Sequence, residues 1–460
     1  MLSAYLHTLA RRQILAARKE VQGCTLQSCG MAYPAWPRGQ PPLEPYGFQC
    51  EDWSAVFTDI PRLSCALRVA LPCGGIDAFG HFCNQLGIDW CPSYYYDVAA
   101  FLEPYMESMY GPWASHFGIG PCSGDVTVVD FTQWEDIDVL VAGPPCPPWS
   151  SIGKRYGAGD KRAQVFATVS NMVKCHGRRA LKIFIIEMVC AQDHTLSGSN
   201  QGSSFYKDWL TDLAMCMPDF CISSHRLNSA DFMVPQHRLR LYTVGVRKSC
   251  SATTSFPVVL PLPRQPPKLQ WQKILHPALP HEREHALTKQ QQLNLFVHKH
   301  IAMQRGTWEN PICISVDRDP LKGFGSFTRY DGLAMTLRCS NDLCWLLDMD
   351  ADSSVHLSRP IHPLERFALQ GFSARYAREL TKNQMLQVTG NAMSVPVVGA
   401  VFLAALRCLA TAAQAQSLPR VQFGFNTRAA MMQRIAKKIM EVDAQRFRYE
   451  ESLALLDQLR

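Results

Sequence analysis

The feature that most restricts this chain is a four-residue apolar run, Val139-Leu140-Val141-Ala142, that stops at Gly143-Pro144-Pro145-Cys146-Pro147-Pro148-Trp149-Ser150. The run is long enough for a buried strand, and Gly143 and Pro144 end it. Four prolines then bracket one cysteine. Proline fixes φ and donates no hydrogen bond, so the loop has few conformations open to it. In open α/β sheets ligands bind just past the carboxyl ends of the strands, and a cysteine held rigidly there is placed to act as a nucleophile. Taken alone, the segment reads equally as a Pro-rich turn with a buried thiol. The motifs around it decide.

Upstream, Leu67-Arg68-Val69-Ala70-Leu71 predicts a strand, followed by Pro72-Cys73-Gly74-Gly75-Ile76-Asp77 and an apolar helix through Phe79, Phe82 and Leu86. Strand, glycine turn and helix cradle nucleotide-like cofactors, because glycine lets backbone approach the ligand. Gly124-Asp125-Val126-Thr127 offers a short acid able to accept a hydrogen bond from an amino group. Downstream, apolar residues at helical spacing run from Ala163 to Val173, and Lys182-Ile183-Phe184-Ile185-Ile186-Glu187 predicts a second buried strand ending on a carboxylate. Glu187 and Cys146 would then share one sheet edge, which makes Glu187 a candidate general acid.

Further on, Ser204 to Met217 reads as helix, and Cys221 to Leu227 and Leu241 to Val246 read as strands. Between those strands lies Val234-Pro235-Gln236-His237-Arg238-Leu239-Arg240. Arginines two apart on an extended segment point the same way, giving a two-pronged basic face. A Pro-rich linker follows from Pro257 to Pro267, then a polar, His-rich stretch to about Lys322. His281-Glu282-Arg283-Glu284-His285 matches the zinc-protease pattern, but its flanks are polar and Pro280 precedes it, so a solvated helix start is the better reading. Phe327 to Ser340 suggests another strand, His362 to Phe372 a short helix stopped by Gly371, and Gly390-Asn391-Ala392-Met393-Ser394-Val395-Pro396 a polar turn running into an apolar helix.

The chain has 460 residues, enough for two or three domains, with 47% hydrophobic and 18% charged residues, the balance of a globular protein. No apolar run approaches a membrane span, and the formal charge of +7 permits a nucleic-acid partner without requiring one. Eighteen cysteines show no disulfide-like framework and no CxxC pair, which predicts reduced thiols in an intracellular protein without a structural metal. Met1 to Lys19 is basic with helically spaced leucines, and reads either as an organelle presequence or as a solvated amphipathic helix. Tyr33 to Gly47 is Pro- and Gly-rich, and the tail from Arg420 to Arg460 is amphipathic.

Together these segments resemble the cytosine-C5 methyltransferase family, which methylates cytosine in DNA using S-adenosylmethionine. Gly143 to Ser150 is similar to the nucleophile loop, and Glu187-Met188-Val189 to the Glu-Asn-Val motif. Gln236 to Arg240 resembles Gln-x-Arg-x-Arg, and Gly390 to Val397 the closing Gly-Asn-x-x-Ser-Val-Pro segment, with Pro363 to Phe372 as the helix before it. The resemblance implies a Rossmann-like α/β sheet with helices on both faces and a small target-recognition region. It divides the chain into an extension (1–65), a cofactor-binding core (66–250), a recognition region (251–325), the rest of the core (326–415) and a helical tail (416–460). It implies S-adenosylmethionine as cofactor, DNA as partner, no metal and no membrane, and a nuclear location, with organelle targeting left open by the basic N-terminus.

By the same resemblance Cys146 adds to C6 of a flipped-out cytosine, Glu187 holds N3 and the exocyclic amine, and Arg240 and less directly Arg238 hold O2 and the loop. Ser150 and Gln236 contact substrate. Gly74, Gly75, Asp97, Asp125, Asn391 and Val395 hold the cofactor. Departures concentrate around the cofactor. Leu71-Pro72 stands where the family has a Phe and another glycine, and Tyr94-Tyr95-Tyr96-Asp97 where it has the ribose-binding acid, so Asp97 either substitutes or the contact is lost. Met188 replaces the usual Asn and Leu239 a common Glu. Two alternatives stay open: a relative acting on transfer RNA, whose Cys-Phe-Thr tripeptide is absent here, and a catalytically silent nucleic-acid-binding scaffold.

Overall fold

The computed structural model describes residues 50–57, 65–110, 117–120, 122–145, 163–190, 205–251, 267–275, 287–305, 310–320, 328–339, 344–349, 355–373 and 380–409, with a few single positions between them. Two compact units divide the chain, Met1–Thr411 and Ala412–Arg460, and the second lies wholly outside the described residues. So do the basic N-terminal stretch and the His281–His285 segment.

Helix α1 (Cys50–Val56) leads to β1 (Leu67–Pro72), α2 (Ala78–Leu86), β2 (Trp90–Asp97), α3 (Leu102–Tyr110), β3 (Phe117–Ile119) and β4 (Val139–Ala142). Next come α4 (Ala163–Gly177), β5 (Ile183–Val189), α5 (Phe205–Cys216), β6 (Phe220–Asn228) and β7 (Leu239–Arg247). The remainder holds α6 (Pro267–Ile274), α7 (Lys289–Arg305), β8 (Ile312–Ser315), β9 (Cys344–Met349), β10 (Val355–Pro360), α8 (Pro363–Leu369), α9 (Lys382–Asn391) and α10 (Val395–Cys408).

Seven strands form one sheet in the order β3-β2-β1-β4-β5-β7-β6. The first five are parallel, and β7 runs antiparallel to both β5 and β6. Period-2 alternation sends side chains to two separate cores. Val69, Leu71, Val139, Val141, Ile183 and Ile185 join one core with Phe79 and Phe82 of α2 and the apolar face of α10. Ala70, Leu140, Ala142, Phe184 and Ile186 join the other with Phe166 and Val173 of α4 and Leu213 of α5. Continuous apolar runs are what a sheet covered on both faces requires, and the fold is the Rossmann-like one expected. Strand order reverses at β1, between β2 and β4, so the crevice for a ligand opens at their carboxyl ends.

Three segments differ from the sequence expectations. The core reaches upstream of Ala66: Trp53 and Phe57 of the α1 region are buried, with Phe57 edge-on to Phe82 at 5.0 Å. Phe327 to Ser340 forms no strand among its described residues. Its polar backbone is instead spent on the segment before β7: His237 N–H donates to Ala334 O at 2.8 Å and Ala334 N–H to Pro235 O at 2.7 Å. A second, antiparallel sheet, β10-β9-β8, occupies that part of the chain. Finally, Lys382–Cys408 is long and apolar enough to match a membrane span by composition, yet 72% of its apolar window is buried. Ala392 to Ser394 break it into α9 and α10, and α10 packs on α2, β5 and β7, the position of a core helix.

Candidate active site

Past β1 the chain enters a tight turn in which Cys73 (φ 58°), Gly75 (φ 58°) and Asp77 (φ 51°) are all left-handed. Only Gly75 adopts that conformation without steric cost, so the turn carries strain at two side-chain-bearing positions. Asp77 caps α2, its carboxylate accepting the Gly80 N–H at 2.7 Å. Gly74 admits no side chain, since a Cβ there would stand 2.4 Å from the Tyr95 ring. The turn, Val141, Gly143, Asn391, Ala392 and Met393 line a cleft. Backbone exposed by glycines beside a helix start, facing a polar asparagine, suits a nucleoside-bearing ligand.

Asp97 ends β2 with its carboxylate accepting the N–H groups of Gly75 (3.0 Å) and Ala99 (2.9 Å). Burial raises its pKa above the usual carboxylate value, and those two backbone donors pull it partly back. It is thus tied to the glycine turn. Asp125 sits on the neighbouring loop, which closes in beneath β2: a Cβ on Gly124 would lie 2.0 Å from Asp97 O. One Asp125 oxygen accepts from Thr127 N and Oγ1, at 2.9 and 2.8 Å. Val395 does not line the cleft. Its side chain is fully buried in the core and its N–H donates to Gln370 O, because it opens α10. The adjacent Asn391, Ala392 and Met393 take its place.

Cys146 and Ser150 lie outside the described residues, but the loop is followed as far as Pro145. Beside its start stands Glu187, buried on β5, with Oε2 3.8 Å from where a Cβ on Gly143 would be. Its Oε1 pairs with Arg240 Nε at 3.0 Å. Cross-strand register explains the pair, since Arg240 lies opposite Val189, two residues beyond Glu187 on the same face. A second thiol, Cys190, stands near, and burial pushes its pKa up against the opposing pull of Arg226 and Arg240.

The two-pronged basic face is not what forms. Arg238 turns inward, 3% exposed, and donates to the carbonyls of Leu337 (3.4 Å), Gly390 (3.2 Å) and Ala392 (2.7 Å). It thus stitches the strand bearing Arg240 to the closing segment and is a positioning residue, with Arg240 alone reaching Glu187. Gln236 is fully buried as well, its backbone bridged to Ala334, so it does not present its amide to a substrate. Sequence reasoning missed Met393, whose Cε would be 3.0 Å from a Cβ at Gly143, between the cleft and Glu187. A lone methionine in a turn gives no signal of that.

A family model for C-5 cytosine-specific DNA methylase matches residues 113–407, well over half of the chain. The chain belongs to the C-5 cytosine methyltransferase family. Type II methyltransferase M.NgoBI of Neisseria gonorrhoeae is 26% identical over 292 residues, 63% of this chain and 80% of that protein. M1.ScrFI of Lactococcus lactis subsp. cremoris is 32% identical over 33% of this chain, and M.HaeII of Haemophilus aegyptius 30% over 37%. Those two matches span only 36% and 45% of the relatives' own lengths. The solved structure of the Entamoeba histolytica methyltransferase EhMeth superposes with a TM-score of 0.50 at 13% identity, covering 74% of this chain and 98% of that one, a likeness of fold. The family's reaction is methyl transfer to cytosine, and its methyl donor is S-adenosyl-L-methionine. The glycine turn, Asp97 and the Asn391 cleft fit that donor.

Proposed function

We propose that this chain transfers a methyl group from S-adenosylmethionine to C5 of cytosine in DNA, through a covalent bond between Cys146 and C6 of a flipped-out base. The observation that carries the reading is convergence. Glu187, Arg240, Gly143 and the glycine-turn cleft, drawn from four separate motifs, meet at one sheet edge. DNA is favoured as substrate because the matching relatives are named Type II methyltransferases and the family model names DNA.

C6 of cytosine is a weak electrophile, so a Cys146 thiolate must add there before C5 can act as nucleophile. Glu187 gives a carboxyl proton to N3 and accepts from the exocyclic amine, which offsets the negative charge that thiolate addition places on the ring. Arg240 holds the Glu187 carboxylate through Nε and gives an Nη1–H to Leu239 O, and Nη2 is the group it would offer to O2. The bound donor supplies an electrophilic methyl group. Once C5 carries it, a solvent-derived base takes the C5 proton, the C–H electrons restore the C5=C6 bond, and the S–C6 bond breaks to return Cys146 as thiolate. A stacked base exposes neither face of C6, which is why the cytosine must leave the duplex.

Transfer of labelled methyl to duplex DNAs of varied sequence and to transfer RNAs tests this. Label in DNA at C5 is the expected result. Label in RNA alone would reassign the substrate, and label in neither would support a silent scaffold.

A further inference from the structure

We infer that the tyrosine run of β2 is the brace that shapes the donor site, with Tyr95 as the positioning residue of the glycine turn. The inference rests on the reading that the cleft takes S-adenosylmethionine.

The turn needs a brace. Cys73, Gly75 and Asp77 are left-handed within five residues, and two of them carry side chains. Such a conformation persists only where the surroundings over-determine it. Tyr95 supplies that constraint in two ways. Its ring fills the space under Gly74, and its hydroxyl donates to Gly75 O at 2.5 Å. Asp97, two residues on and hence on the same face of the strand, accepts the Gly75 N–H. Gly75 is therefore gripped at both its carbonyl and its amide by alternate residues of β2. Tyr95 is itself fully buried, so it acts on a ligand only through the turn.

Tyr94 and Tyr96 project to the opposite face, where both stack on Trp134, with ring centroids 4.4 and 5.6 Å away and planes within 8° and 4° of parallel. Tyr94 Oη also accepts the Glu135 N–H at 2.6 Å. These contacts anchor the loop that carries Asp125. One strand segment thus fixes both donor-holding elements, one from each face.

The test uses the full chain and Tyr95→Phe, which keeps the ring and removes one hydroxyl. Calorimetric titration with S-adenosylhomocysteine should show about tenfold weaker binding, the value of one buried hydrogen bond. KM for the donor should rise by a similar factor, with kcat at saturating donor within about twofold, since the lost contact acts equally on ground and transition states. Tyr206→Phe is the control. Tyr206 bonds Ser224 and Thr243 far from the turn, so that variant should lose comparable stability and no affinity. Unchanged affinity in a folded Tyr95→Phe, or equal weakening in Tyr206→Phe, would overturn the inference. If Tyr95→Phe does not fold, Trp134→Leu carries the test from the other face, and unchanged affinity there would overturn it equally. A parent protein that binds no S-adenosylhomocysteine would sink the functional reading, and this inference with it, in a measurement that involves no variant.

Discussion

The sheet edge has two halves that treat the family pattern differently. Around β4, β5 and β7, the residues proposed to handle the base keep their chemical identities: Cys146, Glu187 and Arg240 stand as the family has them. Around β1 and β2, by the same resemblance, Pro72 stands in place of a glycine and three tyrosines run up to the acid that ends the strand, Asp97. There Gly75 is held by Tyr95 and Asp97. Bond making needs a particular functional group at a particular atom, whereas holding a ligand against backbone needs only that the backbone be held. The first demand constrains residue identity, and the second leaves several side-chain solutions.

Variants in the base half should therefore be all-or-nothing. Cys146→Ser should lower methyl transfer by at least about 10³-fold while leaving affinity for S-adenosylhomocysteine and nucleic acid in place, since a hydroxyl is a far poorer nucleophile at neutral pH. Appreciable turnover by the purified variant would remove Cys146 from its role. Glu187→Gln keeps the shape of the side chain, and kcat should fall about 10²-fold with little change in donor affinity. An equal fall in donor affinity would mean that the two halves are not separable at Glu187.

Arg238 belongs to neither half and joins them. Arg238→Ala would leave the carbonyls of Leu337, Gly390 and Ala392 without their donor, deep in the protein. A loss of about 3 kcal/mol in unfolding free energy is expected, read by urea denaturation. Arg238→Lys, unable to reach three carbonyls with a planar fork, should recover less than half of that loss. If Arg238→Ala were as stable as the parent but inactive, Arg238 would be a catalytic residue after all.

That arginine also marks where the sequence stopped being legible. Strands β4 and β5 were readable because burial on both faces writes an unbroken apolar run into the chain, and β1 and β7 because Arg68, or Thr243 and Gly245, interrupt theirs only briefly. Glu187 followed, as the polar residue that ends such a run. Arg238 could not be read this way. Its partners are 99, 152 and 154 residues distant, and an arginine two places from another looks locally like a basic face. The strand expected at Phe327 to Ser340 failed for a related reason. Its apolar content, Ala334 and Met335 among it, reflects packing against Gln236 and its neighbours, not pairing into a sheet. Helices α6 and α7 lie in a stretch read as merely polar, their buried faces (Trp271, Ile274, Leu293, Val297) diluted by glutamine and lysine.

The smallest effect gives the sharpest comparison, because Asp97 serves binding at a cost to stability. Burial is the main cause of its raised pKa, so the folded protein holds this proton more tightly than the unfolded chain does. A raised carboxyl pKa contributes stability that is fully present below the unfolded value and is lost as pH rises through the folded value. Asp97→Asn does not titrate, so the stability of the parent relative to the variant should decline as pH is raised from about 4 toward neutrality. At neutral pH the variant should bind S-adenosylhomocysteine about tenfold more weakly than the parent, having lost an ionised acceptor for hydroxyl groups of the ligand, and the difference should shrink as the pH is lowered toward about 4. Asp125→Ala should produce a smaller affinity loss of about threefold, since Asp125 holds only its own loop through Thr127, whereas Asp97 also holds the glycine turn through the Gly75 N–H. Thermal melts across the pH series and calorimetry on both variants separate the outcomes. A larger loss at Asp125 than at Asp97 would reverse the order of the two acids, and would shift the donor's main polar contact from β2 to the loop beside it.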